Sequence, residues 1–452
     1  MRFFRAAVSV IRFAAVLEFL CKGLELMMVT AIVVVFVVTL LIGVPIAFVL
    51  GLSSAIPLLI TGRIPLNAIP QYMFNGLNSF PQLAIPFFVL AGELMGRSGI
   101  SKRLIRFCTA LLGKIPGALA EVNILVSIFF AGITGAAVAD TASVGAVLIP
   151  AMKEEGYPAD YSAAVTAVSS CIGPIIPPSI ILVVYGVAAN VSISKLLIAG
   201  LIPGILMGLC QGVLAFVHAK KRHYPCQEEP FSWKEVGKTF LDAVPALIMP
   251  ALIIGGIMSG VCTATEAASI AVVYSLIFGF ATKTIKIKDL PEIIEKAAAT
   301  VGVTLLLIGI AKLFSIVIAL NQIPNKVTAA FLSVSSNKYV ILLMINLLLL
   351  IAGCFMEISA ACIILVPILL PVVVSCGIDP VQFGIIMCVN LAIGLATPPV
   401  GPTLYVACRI ANCSIAEITK AIFPYLIATF LVVVIVMFVP QIALFLPNLL
   451  IK

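Results

Sequence analysis

The stretch CIGPIIPPSI, at residues 171–180, lies inside a long apolar segment and yet contains one glycine and three prolines. Proline removes a helical hydrogen-bond donor and clashes with the preceding turn, so a continuous helix cannot pass through this stretch. A similar stretch, GLATPPVGP, begins at Gly394. We therefore predict two membrane-spanning helices that are each interrupted near the centre.

One shift of 221 residues, from Gly173 to Gly394, superposes the two stretches without a gap. The same shift aligns further glycines and prolines, namely Gly132 with Gly353, Pro150 with Pro371, Gly156 with Gly377, Pro177 and Pro178 with Pro398 and Pro399, and Pro203 with Pro424. Because these residues determine backbone conformation, the matches indicate a structural repeat and not a chance similarity of apolar composition.

The composition excludes a soluble protein, since 62% of the residues are hydrophobic, only 10% are charged and the mean hydropathy is +1.24. Many apolar segments reach the roughly 20 residues that cross a bilayer as a helix. We therefore predict an all-α polytopic membrane protein. The net charge of +8 does not indicate nucleic-acid binding, because an excess of Lys and Arg is typical of the cytoplasmic loops of membrane proteins.

The order of apolar and basic segments predicts the domain organisation. Residues 1–27 suggest an interfacial or anchoring helix, and residues 29–60 a first span. Residues 117–152 and 339–375 are each split into halves of about 14 residues, so we predict two re-entrant hairpins. Three basic loops, at about residues 97–114, 219–238 and 283–296, are expected on the cytoplasmic side, and this placement makes the two repeats inverted with respect to each other. We predict five parts: an anchoring helix at residues 1–27, scaffold helices at 28–116, the first transport repeat at 117–217, scaffold helices with cytoplasmic loops at 218–338, and the second transport repeat at 339–452.

Interrupted helices inside a membrane point to a binding site. Non-helical backbone is tolerated there only where it is buried in protein or lines a cavity, and we expect this at residues 132–143, 173–179, 353–359 and 394–402. Half-helix N-termini suit an anion, whereas free carbonyls and hydroxyls suit a sodium ion. The oxygen-bearing residues at these breaks are Thr134, Asp140, Thr141, Ser143, Ser169, Ser170 and Ser179 in the first repeat, and Glu357, Ser359, Asn390, Thr397 and Thr403 in the second.

Structural roles compete with these assignments. A Ser or Thr can bond back to its own helix, and an acid can cap the helix beside it. Three further intramembrane charges, Glu93, Glu266 and Lys312, could be scaffold pairs or caps, and Glu266 has the capping-box spacing from Thr263. Enzyme motifs such as HExxH and Walker A are absent from the sequence, and both histidines, His218 and His223, fall in one predicted polar loop.

Several blocks of the sequence closely resemble the large membrane subunit of tripartite ATP-independent periplasmic (TRAP) transporters. They are FFAGITGAAVADTASVGAVLIPAMKEEGYPADY, SSCIGPIIPPSIILVVYG, TATEAA, GCFMEISAACIILVPILLPVVVSCGIDPVQFG and NLAIGLATPPVGPTLYV. The resemblance covers about residues 28–450, in order. It implies an elevator-type transporter of the bacterial inner membrane that imports a carboxylate, such as a C4-dicarboxylate or sialic acid, with sodium.

The resemblance also implies the partners of the chain. A periplasmic substrate-binding protein would deliver the anion, and a small four-helix membrane subunit would be a separate chain. No cofactor is expected besides sodium as the coupling ion. Alternatives left open by the sequence are a stand-alone divalent-anion/sodium symporter of related architecture, a polytopic membrane enzyme and a channel.

By motif position, the resemblance places sodium at the first hairpin tip and first break, and again at the second hairpin tip and second break. The implied sodium ligands are Thr134, Ser169, Ser170, Gly173, Gly353, Glu357, Asn390, Gly394 and Thr397. Substrate would lie between the two clusters, at Thr134, Gly135, Asp140, Pro177, Pro178, Pro398 and Pro399. The chain departs from the family pattern at Ala136, where a serine is common, and at Glu357, where an aspartate is usual.

Overall fold

A computed structural model describes residues 27–61, 65, 67–112, 115–222, 224 and 232–451, and every regular element in these ranges is a helix. Seven of the described helices are long and apolar enough to cross a membrane. The all-α polytopic prediction is therefore confirmed. The helix predicted over residues 1–27 lies outside the described residues except for Met27, and the predicted five-part division stays a prediction.

The chain divides into two compact units, of which the smaller contains the described residues up to Ser79 together with Leu305–Ala330. It holds α1 (Met27–Leu41), α2 (Ile46–Thr61), α3 (Ala68–Leu77), the second half of α14 (Leu290–Leu320) and most of α15 (Ile323–Val334). The single span predicted over residues 29–60 is wrong. Gly43 takes the left-handed conformation, with φ +84°, and Pro45 follows it, so the apolar run becomes two helices.

The larger unit contains Phe80–Thr304 and the chain from Phe331 onwards. Its helices are α4 (Ala84–Arg97), α5 (Ile100–Leu112), α6 (Ala118–Thr134), α7 (Ala137–Glu154), α8 (Ala159–Ser169), α9 (Ile180–Ala189), α10 (Ile193–Ala199), α11 (Leu201–Arg222), α12 (Trp233–Met258), α13 (Ala264–Ala281), the start of α14, α16 (Lys338–Phe355), α17 (Ile358–Ser375), α18 (Pro380–Gly394), α19 (Pro402–Ala411), α20 (Ile415–Phe438) and α21 (Gln441–Leu450). Both predicted transport repeats lie in this unit.

Both predicted helix breaks are present. The first separates α8 from α9, with a short 3-10 turn at Ser170–Ile172, and the second separates α18 from α19. Each contains one cis peptide bond, Pro177–Pro178 in the first and Pro398–Pro399 in the second. The Gly-Pro clusters therefore interrupt the two helices where the sequence predicted.

The two hairpins are also present, but their helices are longer than predicted. The first pairs α6 and α7, of 17 and 18 residues, and the second pairs α16 and α17, of 18 each. Eighteen residues span about 27 Å, close to the roughly 30 Å of hydrocarbon, so short length no longer argues for re-entrance. Re-entrance and the opposite orientation of the repeats stay predictions.

The breaks inside the hairpins are narrower than the predicted ranges 132–143 and 353–359. Only Gly135 and Ala136 separate α6 from α7, and only Met356 and Glu357 separate α16 from α17. As a result, Asp140, Thr141, Ser143 and Ser359 lie within helices. Alanines around them favour helix, so Asp140 and Ser359 lie in the first turns of α7 and α17, and Thr141 and Ser143 lie in the second turn of α7.

Two loop assignments are also corrected. His218 lies in α11 and not in a polar loop, because the apolar helix continues into its own basic end, Lys220 to Arg222; His223 lies outside the described residues. The lysine-rich loop predicted at residues 283–296 is shorter, since α14 begins at Leu290. The capping-box reading of Glu266 is confirmed, because Glu266 Oε2 accepts the Thr263 amide at 2.8 Å and Thr263 Oγ1 accepts the Glu266 amide.

Candidate functional site

The tip of the first hairpin lies against the first helix break. The α6 helix ends at Thr134, after which Gly135 turns the chain with a φ of +62° and Ala136 is extended. A Cβ atom at Gly135 would overlap the carbonyl oxygen of Pro178. Glycine is therefore required at this position both for its positive φ and for the close approach of the two backbones.

Asp140 is the buried acid of this site. It is fully buried in the first turn of α7, and its Oδ1 atom accepts a hydrogen bond from the Thr134 hydroxyl. Its Oδ2 atom has no hydrogen-bond partner among the described residues and lies against Gly173, where a Cβ atom would overlap it. Three predicted site residues, Thr134, Asp140 and Gly173, are thus brought together.

A line of buried polar side chains leads from this site along α6 and α8. Asn123 Nδ2 donates to Thr166 Oγ1 at 2.6 Å, and Asn123 Oδ1 accepts from Ser169 Oγ at 3.2 Å. Ser127 Oγ donates to Ser169 Oγ at 3.0 Å. Ser169 was predicted as a site residue, whereas Asn123 and Ser127 were not. An asparagine in an apolar segment nevertheless indicates a polar partner on a neighbouring helix.

The second hairpin meets the second break through two glycines. A Cβ atom at Gly394 would lie 2.5 Å from the carbonyl carbon of Gly353 and 2.6 Å from its Cα atom. The two backbones therefore touch, and neither position has space for a side chain. The contact brings Gly353 and Gly394 together, whereas the aligned glycines of the first repeat have other neighbours, Pro250 for Gly132 and Asp140 for Gly173.

Asn390 lies one helical turn before Gly394 and is fully buried. Its Nδ2 atom donates to both oxygens of Asn346, the carbonyl at 3.0 Å and the side-chain Oδ1 at 2.7 Å. Both partners are acceptors, so the amide nitrogen of Asn390 must face them, and its own Oδ1 is left without a partner. Asn346 was missed by the sequence analysis.

The two repeats use related positions for these contacts. Ser169 and Asn390 are separated by the repeat shift of 221 residues, and each bonds to an asparagine on the first helix of its own hairpin, Asn123 or Asn346. The asparagines themselves are offset by two positions from the shift. The repeat thus conserves the contact between hairpin and broken helix, while the side chains that make it differ.

Several predicted ligands make local bonds in this structure. Glu357 is exposed and caps α17, since its Oε2 atom accepts the Ala360 amide at 2.9 Å and its Oε1 atom accepts the Ser359 hydroxyl at 3.0 Å. The hydroxyls of Ser170 and Thr397 bond back to carbonyls one turn earlier, as do those of Thr141, Ser162 and Thr166. These bonds match the structural alternative for hydroxyls and acids.

The hydroxyls of Ser179 and Thr403 also have partners. Ser179 caps α9 by accepting the Leu182 amide at 3.2 Å, and it donates to the Pro174 carbonyl. Thr403 Oγ1 donates to the Leu395 carbonyl at 2.8 Å across the second break. Both side chains therefore stabilise the loop of their own break.

Of the polar contacts that join the repeats to each other, two end on a backbone carbonyl. Lys153 Nζ, at the end of α7, donates to the carbonyl of Ala411, the last residue of α19, at 2.9 Å. Tyr185 OH, on α9, donates to the carbonyl of Pro380, at the start of α18, at 2.7 Å. Each contact satisfies a backbone carbonyl of one repeat with a side chain of the other, and neither was foreseen from the sequence.

Comparison with known proteins identifies the family. The family model of the tripartite ATP-independent periplasmic transporter, DctM component, matches residues 33–442. The chain is 42% identical over 417 residues to the uncharacterized protein YgiK of Salmonella typhimurium, covering 92% of this chain and 96% of that protein. It is 39% identical over 408 residues to the sialic acid TRAP transporter large permease protein SiaM of Vibrio cholerae, covering 90% and 95%.

Among solved structures, the fold is similar to that of the YdaH transporter of Alcanivorax borkumensis. The TM-score is 0.60 at 16% sequence identity, and the match covers 92% of this chain and 98% of that one. The resemblance that the motifs indicated is confirmed by the family match and the relatives. The chain belongs to the DctM component family of tripartite ATP-independent periplasmic transporters.

Proposed function

We propose that this chain imports an organic anion together with sodium, as the large permease of a three-component transporter. One observation carries the proposal: each repeat holds a fully buried side-chain oxygen, Asp140 Oδ2 or Asn390 Oδ1, that has no hydrogen-bond partner within the described residues. A buried polar atom without a partner is costly, and a cation bound at these two atoms, which lie beside the helix breaks, would supply the missing partner. Oxygen ligands at helix breaks suit an alkali cation.

The charge of Asp140 assigns it to the cation and not to the substrate. A buried carboxylate repels an anionic solute, whereas a sodium ion would neutralise it. The resemblance alone listed Asp140 with the substrate, so the proposed role differs from that expectation. The Thr134 hydroxyl donates to Oδ1 of this carboxyl group, and Gly173 lies against Oδ2, the atom without a partner.

The substrate anion is proposed to bind at the second break. Pro399 and Val400 are exposed there, whereas every residue from Cys171 to Ser179 is buried. The start of α19 does not add a free amide to this site, because Pro402 has none and the Thr403 amide donates to the Leu395 carbonyl at 3.2 Å, so the exposure of the break carries the assignment. These features support a role for Thr397, Pro398 and Pro399 in contact with the anion.

The family supports the proposed partners and substrate class. Its description is that of a tripartite periplasmic system, and the Vibrio cholerae relative is named as the large permease for sialic acid. We propose a periplasmic binding protein and a small four-helix membrane subunit as partners of this chain. A carboxylate such as sialic acid or a C4-dicarboxylate is the proposed cargo.

An elevator movement is supported by the contacts between the repeats. Lys153 and Tyr185 tie hairpin and broken helices of the two repeats together, as expected of elements that move as one block. In this proposal the hairpins and broken helices slide together while the remaining helices stay fixed in the membrane.

The test is uptake by proteoliposomes that contain the full chain and its small subunit. Radiolabelled sialic acid and succinate are supplied with the binding protein under an inward gradient of sodium or of potassium. Uptake of one anion that needs both sodium and the binding protein supports the proposal. Equal uptake without the binding protein would favour a stand-alone symporter, and uptake with potassium in place of sodium would contradict sodium coupling.

A further inference from the structure

The α5 helix has one basic face. Its residues Ile100, Leu104, Phe107 and Cys108 are buried, whereas Lys102 and Arg106 are exposed and Arg103 is half-buried. The helix contains no acidic residue. At 13 residues it is too short to cross the membrane, and a basic amphipathic helix of this kind is typical of the membrane surface.

A second group of lysines lies in the connection between α13 and α14. Lys283, Lys286 and Lys288 are exposed there. The connection is folded, because Ile285 is buried against Gly279 and the Lys286 amide donates to Asp289 Oδ2 at 2.9 Å. The Asp289 carboxylate is therefore engaged in a cap, and the lysines are held on an ordered turn.

The two groups are joined by a cation–π contact. The Arg103 guanidinium lies over the ring of Phe278, near the end of α13, with its carbon 5.5 Å from the ring centroid. The nearby Glu292 already binds Arg97 and Lys296, the latter at 3.1 Å, and so does not neutralise this surface. We call the surface the basic platform, and it consists of Lys102, Arg103, Arg106, Lys283, Lys286 and Lys288.

Aromatic residues lie beside the basic platform. Phe107 of α5 packs against Phe240 of α12, with ring centroids 5.5 Å apart. Phe240 is 43% exposed and Trp233, at the start of the same helix, is 75% exposed. Exposed aromatic rings next to basic side chains are characteristic of the boundary between hydrocarbon and headgroups.

We infer that the basic platform binds the headgroups of anionic phospholipids in the cytoplasmic leaflet. The positive charge is complementary to phosphate, the flanking helices are apolar enough to span the membrane, and the aromatic side chains lie at the same boundary. Each basic residue near an anionic bilayer increases the binding constant about fivefold, so three of them should give a measurable preference for anionic over zwitterionic lipid. The platform lies outside both hairpins and both breaks, so this inference is independent of the transport proposal.

Trp233 provides the probe, since it is the only tryptophan of the chain. The full chain is reconstituted in zwitterionic nanodiscs with a trace of dansyl-labelled phosphatidylglycerol or dansyl-labelled phosphatidylcholine, and energy transfer from Trp233 is measured at low and high salt. The variant K102Q/R103Q/R106Q removes three charges of the platform. The matched control K195Q/K338Q/K420Q removes three basic residues elsewhere, and K102R/R103K/R106K retains the charge.

The expected result is preferential transfer to phosphatidylglycerol that decreases at high salt and falls about fivefold or more in the glutamine variant. The control and the charge-retaining variant should keep the preference, which also shows that loss of folding is not the cause. Equal transfer to both lipids in the unmodified chain would overturn the inference. A preference that survives in the glutamine variant would overturn it as well.

Discussion

The two helix breaks share one sequence pattern but differ in their surroundings. The first, from Cys171 to Ser179, is fully buried and faces the Asp140 carboxylate. The second ends in the exposed Pro399 and Val400 and has a neutral asparagine pair, Asn390 and Asn346, beside it. The repeat position that corresponds to Asp140 is Ala361. The repeat therefore preserves the backbone interruption, whereas charge and exposure distinguish the two copies.

This difference suggests that the two breaks bind different ligands. A sealed site with one buried carboxyl group suits a desolvated cation, because burial disfavours the carboxylate form unless a cation is bound beside it. An open site suits an anion that must enter and leave. As a DctM-type permease of the inner membrane, the chain is a transport subunit and not an enzyme, as the sequence predicted.

The largest effect is expected from Gly394→Ala. The new Cβ atom would lie 2.5 Å from the backbone of Gly353, and backbone atoms cannot move aside as a flexible side chain can. We expect a loss of about 3 kcal/mol in the free energy of unfolding, measured by thermal unfolding of the purified full chain. Gly255→Ala is the control, since that helical position has no neighbour within 4 Å. An unchanged melting temperature in Gly394→Ala would contradict the contact between the glycines.

Asp140→Asn tests the sealed site. The substitution keeps the shape but removes the buried charge, so we expect the sodium concentration for half-maximal uptake to rise about tenfold, equivalent to about 1.4 kcal/mol. In potassium chloride the melting temperature should not fall, because a buried carboxylate without a bound cation is itself destabilising. Glu154→Gln, at the exposed end of the same helix, is the matched control. Unchanged sodium dependence in Asp140→Asn would argue against a cation at this oxygen.

Lys153→Met tests the link between the repeats. The variant leaves the Ala411 carbonyl at the end of α19 without its charged donor, which should lower the free energy of unfolding by about 1 kcal/mol. Lys153→Arg should retain most of the stability because it keeps a donor and the charge. Chemical denaturation in detergent distinguishes the two variants. Equal destabilisation by both would show that the stem of the side chain matters and not its hydrogen bond.

The smallest effect is expected from Glu357→Ala. Its side chain is exposed and caps α17, so we expect a loss of about 1 kcal/mol or less in stability. From the sequence we also predict weaker sodium dependence, and the structure indicates that this change is smaller than that of Asp140→Asn. Glu357→Asp restores a good cap and should recover stability. A sodium defect in Glu357→Ala as large as that of Asp140→Asn would remove the distinction between the two breaks.

The sequence predicted the breaks because prolines and glycines act on the backbone of their own segment. The Gly-Pro clusters therefore located the ends of α8 and α18 without knowledge of the fold. The same reasoning predicted hairpin breaks that are too long, because Asp140 and Ser359 are polar and yet lie within helices. Polarity indicates a site, whereas the Gly-Pro clusters indicate where α8 and α18 end.

The partners of the site residues could not be predicted in the same way. Asn123 and Asn346 are single asparagines whose roles depend on which helices pack together. Lys153 reaches a carbonyl 258 residues away in the chain, and that contact has no local signature. The sequence left two roles open for Glu357, a sodium ligand or a helix cap. The structure favours the cap, because the carboxylate accepts an amide of its own helix.

The most direct measurement is thermal unfolding of the purified full chain in sodium chloride and in potassium chloride at equal ionic strength. A bound cation stabilises the folded state by about 2.7 kcal/mol when its concentration is a hundred times the dissociation constant. We predict a higher melting temperature in sodium than in potassium, and no such difference in Asp140→Asn. Identical melting in the two salts, or a sodium effect that persists in Asp140→Asn, would contradict a sodium ion at the buried carboxylate.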